Sequence, residues 1–151
     1  MSLQDRSEIF SRLWQGSEVE PGANVRGAGF DVLCVTAAGT LETPFYQTPQ
    51  PFPGVLLLRI PLQDRWLSQE NADKAEAMAS RLATLHSQGA RLLVVCQRGR
   101  NRSGLLSALT LCHRFGWSGR QALEQVQARR AGALSNPWFA SYLLERHGGR
   151  Q

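Results

Sequence analysis

Residues 91–112 read RLLVVCQRGRNRSGLLSALTLC. An apolar, β-rich run at 91–95 gives way at Cys96 to a turn holding Gly99, Asn101 and the arginines at 98, 100 and 102. Arg102-Ser103-Gly104 then opens an apolar stretch, and the pattern predicts strand, turn and a helix over 102–115. Packing gives no reason to gather three cations beside a thiol. A strand–turn–helix offers one, because it points successive backbone N–H groups into a concavity where the helix dipole adds positive potential. Gly99, mid-turn, permits backbone angles that other residues resist.

Working outward, VLLLRIPL (55–62) reads as another buried strand. Ala72, Ala75, Met78, Ala79, Leu82 and Leu85 recur at helical spacing between Ser68 and Ser87. Strand, helix, strand from 55 to 95 is a crossover unit, which makes its two strands parallel and brings their carboxyl ends to one sheet edge. LQDR (62–65) and CQRGRNRSG (96–104) should meet there. Further strands are expected at 12–17 and 30–37, a short helix from Pro21 through Ala28, and a loop over 39–54 carrying four prolines. Two more helices are expected at 118–130 and 135–146, capped by Ser118 and Ser135. The expectation is one domain over 1–151, of class α/β: a largely parallel central sheet of four or five strands flanked by helices on both faces.

Composition narrows the function. The chain has 151 residues, 42% hydrophobic and 19% charged, with no run approaching the roughly 20 apolar residues of a membrane span. MSLQDRSEIF lacks the apolar core of a signal peptide, so a soluble, cytoplasmic protein is expected; a monomer is expected as well. Cys34, Cys96 and Cys112 are odd in number and form no short pair. With His86, His113 and His147 scattered, neither a disulfide framework nor a zinc site is expected. The net charge is +5, and no Asp or Glu occurs between Glu76 and Glu124, where seven arginines lie. That stretch should present a positive field to an anionic partner. Sixteen arginines against one lysine let part of the bias be compositional.

A nest of this kind has room for one tetrahedral dianion. Gln97, Arg98, Gly99, Arg100, Asn101 and Arg102 would form a phosphate-binding loop, with Arg102 clamping two oxygens through its planar fork. Cys96 would sit beneath, its thiol pKa lowered by ~1–5 units from the free value, and attack phosphorus as the thiolate. A thiol in that form is also open to reversible oxidation. A carboxylic acid must protonate the leaving group and later activate water. Asp64 alone follows a buried strand on the right edge, since Asp73 lies on the crossover helix and Asp31 at the wrong end of its strand. Ser103 could donate a hydrogen bond to the sulfur and ease its departure. Cys34 and Cys112 read as buried, inert thiols. Nest, arginine and thiol would supply the chemistry without a metal or organic cofactor.

The chain resembles the cysteine-dependent protein phosphatases of the small dual-specificity type. Their signature, HCxxGxxR(S/T), is matched by CQRGRNRS (96–103) from the cysteine onward, and their general acid lies about thirty residues upstream, as Asp64 does. LWQGS, AGFDVLCVTA and EQVQARRAGALSNPWFASYLLE, with Asn136 and Phe139, resemble flanking segments of the family. The resemblance implies a phosphomonoesterase. Phosphoproteins lead as substrates, while the basic Arg98 and Arg100 resemble relatives acting on phosphoinositides or inositol phosphates, and Asn101-Arg102 resembles RNA 5′-phosphatases. Val95 stands where the family has histidine, which leaves open a phosphate-binding module without turnover. A rhodanese-type sulfurtransferase also places a cysteine in an anion-binding loop, but the longer loop and Asp64 count against it.

Overall fold

The computed structural model describes residues 3–146; His147 lies outside them. Five strands, β1 (Arg6–Phe10), β2 (Leu13–Gly16), β3 (Val32–Ala37), β4 (Leu56–Leu62) and β5 (Leu92–Val95), form one sheet in the order β1-β2-β5-β3-β4. β2, β5, β3 and β4 run parallel, and β1 joins β2 antiparallel. Five α-helices follow in chain order: α1 (Ala38–Leu41), α2 (Gln69–Ser87), α3 (Arg102–Phe115), α4 (Gly119–Arg129) and α5 (Pro137–Glu145), with a 3₁₀ turn at Pro44–Gln47.

The central strands β5 and β3 are buried at every position because both their faces are covered. In β5, Leu92 and Val94 enter one core cluster while Leu93 and Val95 enter the other, and β3 divides Val32 and Cys34 from Leu33 and Val35 in the same way. The first cluster is roofed by α2 to α5. Its centre is α3, buried continuously from Ser103 to Cys112, with Leu105, Leu106 and Leu109 sealed from water. Each such leucine contributes roughly 1.5–3 kcal/mol. The second cluster is covered by the segment around Val19–Phe30, by α1, and by Tyr46 and Phe52. Strand β4 lies at the edge, so Leu58, Ile60 and Leu62 face inward while Arg59 and Pro61 are exposed. An edge strand tolerates the missing N–H of Pro61.

The fold class and the parallel sheet match the sequence reading, and several details differ. β3 lies between β4 and β5, so the two crossover strands are parallel without touching. The four long helices share one face; the other carries only the four-residue α1, the 3₁₀ turn and irregular chain. Residues 21–28 are turns rather than a helix. Gly22 and Gly29 adopt positive φ, and the Asn24 carboxamide oxygen accepts from Gly27 N–H, diverting the segment from helical pairing. The 39–54 loop contains most of α1 and all of the 3₁₀ turn, which Pro44 opens. Ser135 does not cap α5. Asn136 does, accepting from Trp138 and Phe139 N–H, with Pro137 in the first turn. Ser118 does cap α4, in a reciprocal capping box with Gln121. β1 was not expected, because RSEIF carries two charges and little alternation.

Candidate active site

Strand β5 ends at Val95, and the loop after it is held from behind. Cys96 N–H donates to Gly16 C=O at the end of β2 (3.3 Å). The next three carbonyls all find partners on that same side. Gln97 O accepts from Glu18 N–H (3.3 Å), Arg98 O from Arg130 Nη2 (3.2 Å), and Gly99 O from Arg130 Nε (2.6 Å) and Gln15 Nε2 (2.9 Å). A trans peptide sets its C=O and N–H in opposite directions. The N–H groups of Arg98, Gly99 and Arg100 are therefore turned away from this support, toward the cavity side. Gly99 is required twice over. Its φ is +68°, and a Cβ there would lie 2.6 Å from both Gly16 O and Arg130 Nη2.

On the cavity side lies a pocket of about 340 Å³, lined by Cys96, Gln97, Arg98, Arg100, Asn101 and Arg102 of the loop, and by Asp64 and Ser135. Cys96 is only 3% exposed, and its Sγ lies 3.1 Å from the hydroxyl of the fully buried Ser103. Val95 sits among Leu33, Val35 and Leu93, and its carbonyl accepts from the buried Thr36 hydroxyl (2.9 Å). The position before the cysteine thus packs into the second core cluster, and Thr36 fastens the end of β5.

Arg102 opens α3 and donates through Nη1 to Leu62 O at the end of β4 (3.2 Å). Its Nε is buried without a hydrogen-bond partner, and among the described residues no carboxylate pairs with it. A buried unmet donor costs roughly 1–3 kcal/mol, more on a charged group, so Arg102 carries donor capacity beside the pocket that no described residue uses. Asp64, two residues beyond Leu62, does not neutralise it. Its two carboxylate oxygens accept instead from Asn101 Nδ2 (3.1 Å) and Asn136 Nδ2 (2.8 Å). Asn136 also reaches Arg65 O (3.1 Å), while Asn101 Oδ1 accepts from Asn136 N–H (2.9 Å). Two neutral carboxamides thus hold the aspartate on the rim, tied to both the loop and the start of α5.

The residues assigned to the site from sequence, Asp64, the loop from Cys96 to Arg102 and Ser103, come together here. Arg98 and Arg100 are exposed at the mouth, and the Arg100 guanidinium runs beside the backbone of Gly132, whose absent Cβ would be 3.6 Å from its Cζ. Asp31 lies elsewhere, bound to Arg91 N–H (2.8 Å) and Arg26, and Asp73 pairs with Gln69 on the solvent side of α2 (2.8 Å). Cys34 and Cys112 pack in the apolar core away from the pocket, where burial pushes the Cys34 thiol up to about 12 and raises that of Cys112. Sequence reasoning missed Arg130 and Gln15, which reach the loop only through the fold. Asn136 was marked by family likeness alone, with no role. No group of three or more metal-ligating side chains occurs among the described residues.

Residues 40–147 match the family model described as "Dual specificity phosphatase, catalytic domain". The fold is similar to the crystal structure of human DUSP28, at 26% identity and TM-score 0.74, covering 91% of this chain and 89% of that one. It is also similar to a mouse putative dual specificity phosphatase complexed with zinc tungstate, at 24% identity, TM-score 0.76 and coverages of 94% and 86%. PTPMT1 in complex with PI(5)P shares 18% identity, with TM-score 0.71 and coverages of 93% and 92%. No curated protein matches the sequence. With the family model spanning well over half of its length, the chain belongs to the dual-specificity phosphatase catalytic-domain family.

Proposed function

We propose that the protein hydrolyses phosphomonoesters through a cysteinyl-phosphate intermediate formed on Cys96. The observation that carries this reading is the pocket itself. A thiol and an unneutralised guanidinium share it, and one fixed carboxyl group stands on its rim. Phosphate oxygens take the places offered by the turned N–H groups and by Arg102. The Cys96 thiolate attacks phosphorus and the P–O bond to the alcohol or phenol breaks, its oxygen taking a proton from Asp64. Asp64, now ionised, removes a proton from water as that water attacks phosphorus and the S–P bond breaks. Ser103 donates to the departing sulfur, and inorganic phosphate and free thiolate remain.

Phosphoproteins are the substrates this reading places first. The exposed Arg98 and Arg100 at the mouth favour a second one, a phosphoinositide or inositol phosphate carrying further anionic groups. The buried cysteines with no disulfide among them accord with action in the reducing cytoplasm, and one chain supplies the whole pocket. No described helix is long and apolar enough to cross a membrane.

The test is phosphate release from an aryl phosphate, phosphopeptides, phosphoinositides and a 5′-phosphorylated RNA, with Cys96→Ser as control. Release that Cys96→Ser abolishes supports the reading. No release from any substrate, with inorganic phosphate still bound, leaves a binding module without turnover.

A further inference from the structure

We propose that Arg130 is a positioning residue for the anion site, acting through the back of the 96–102 loop. The inference rests on the phosphatase reading for what the loop binds, but not for how the loop is held.

Arg130 stands at the end of α4, 34 positions beyond Cys96 in the sequence, and is 8% exposed. All three of its nitrogens are engaged. Nε and Nη2 reach two successive loop carbonyls, Gly99 O and Arg98 O. Nη1 meets the Ser7 hydroxyl (3.1 Å), and Nη2 also pairs with Asp5 (3.1 Å). A guanidinium suits this task because its donors are fixed in one plane, whereas an ammonium is a point charge on a flexible stem. Asp5 and Ser7, from the start of the chain and from β1, fix the plane's direction.

Two consequences follow for the pocket. The 98–99 and 99–100 peptide planes cannot rotate without breaking charge-assisted hydrogen bonds, so Gly99 N–H and Arg100 N–H stay turned toward the cavity. A carbonyl that accepts from a cation also polarises its own peptide, strengthening the N–H on the far side as a donor. Arg130 thereby delivers positive character to the anion without touching it. Gln15 Nε2 shares Gly99 O and gives the same plane a weaker, neutral support. This differs from the task of Arg102, which offers its own donors to the pocket.

The experiment measures anion binding without turnover. Cys96 is alkylated with iodoacetamide over a pH series, with and without inorganic phosphate, and the Cys96 peptide is quantified by mass spectrometry. Wild type, Arg130→Met, Arg130→Lys and Gln15→Met are compared, with Ser118→Ala as a variant destabilised away from the loop. Arg130→Met should weaken phosphate protection of Cys96 by about tenfold or more and move the alkylation profile to higher pH. Arg130→Lys should restore only part of the loss, and Gln15→Met should show a smaller change of the same kind. Ser118→Ala should lower the melting temperature and leave protection unchanged. The proposal is overturned if Arg130→Met keeps protection and profile within twofold of wild type, whatever its melting temperature. If Arg130→Met does not fold, wild-type behaviour in both Arg130→Lys and Gln15→Met overturns it equally. Protection in a wild type that releases no phosphate from any ester would sink the phosphatase reading and leave the role of Arg130 standing. A wild type that phosphate does not protect would sink both.

Discussion

Two charged clusters in this protein are built on opposite principles. Around Glu76, every group has its complement. The carboxylate accepts from Arg146 Nε (2.8 Å) and Nη2 (3.0 Å) and from the Tyr142 hydroxyl (2.6 Å), and His113 Nε2 lies 2.7 Å away. Burial pushes its carboxyl up, yet the donors from Arg146, Tyr142 and His113 outweigh burial and bring it down to about 2. Around Cys96, the arginines outnumber their partners. Arg98, Arg100 and Arg102 pair with no carboxylate among the described residues, and the one acid within reach is held by two asparagines. A closed cluster ties α2, α3 and the end of α5 together. An open one rests on the fold around it and leaves donors that an anion from solution would complete.

The sharpest way to break this comparison is Arg102→Met. It should lower kcat/KM for an aryl phosphate by about 10³-fold, the range for losing a preorganised charge donor, with little change in melting temperature. A large stability loss with small kinetic effect would place Arg102 among the structural charges instead. Asp64→Asn should cost about 10²-fold on an alkyl phosphate, within the span of general acid catalysis, and much less on an aryl phosphate with a good leaving group. Equal, small effects on both substrates would remove Asp64 from proton transfer.

The closed cluster should respond in the opposite sense. Glu76→Gln should reduce unfolding free energy by about 2 kcal/mol in urea titrations, below the range for breaking a fully buried pair because Glu76 is partly exposed. Phosphate release per folded molecule should not change. The same carboxylate sets an acid limb. Its pKa falls from the ordinary 4.5 to about 2 on folding, so its contribution is complete above about pH 4.5 and lost as pH falls toward 2. Glu76→Gln should flatten the stability–pH curve in that window. Ser118→Ala removes a helix cap away from the anion site and should cost about 1 kcal/mol without altering kinetics.

Much of this was legible in the residues, and the limits have physical causes. The parallel strands could be read because burial on both faces demands runs dominated by apolar and β-branched residues such as LLVV and VLCVTA. The thiol, the guanidinium at 102 and Asp64 were reachable because a crossover fixes which chain ends share a sheet edge. Strand β1 was hidden, since an edge strand paired on one side needs little apolar alternation. The turn at 21–28 was misread because a proline start signal outweighed the glycines at 22, 27 and 29. The N-cap of α5 was placed one residue early, at Ser135, where two capping residue types stand in succession. Arg130 and Gln15 were invisible. Their task is to meet backbone carbonyls, and a carbonyl leaves no mark on the residue that carries it.

The strand order has a further consequence for how the protein comes into being. β2, at Leu13–Gly16, is made long before its parallel neighbour β5, at Leu92–Val95, and Arg130 later still. On a chain that emerges from the ribosome amino end first, the end of β2 must wait for β5 and the loop it supports to follow. Contacts between such distant parts form slowly, because a long loop must close before any of them is rewarded. Maturation of the pocket is therefore a late event. A product truncated between Arg102 and Arg130 would carry the thiol and the glycine of the motif, with no guanidinium behind them to shape the turn.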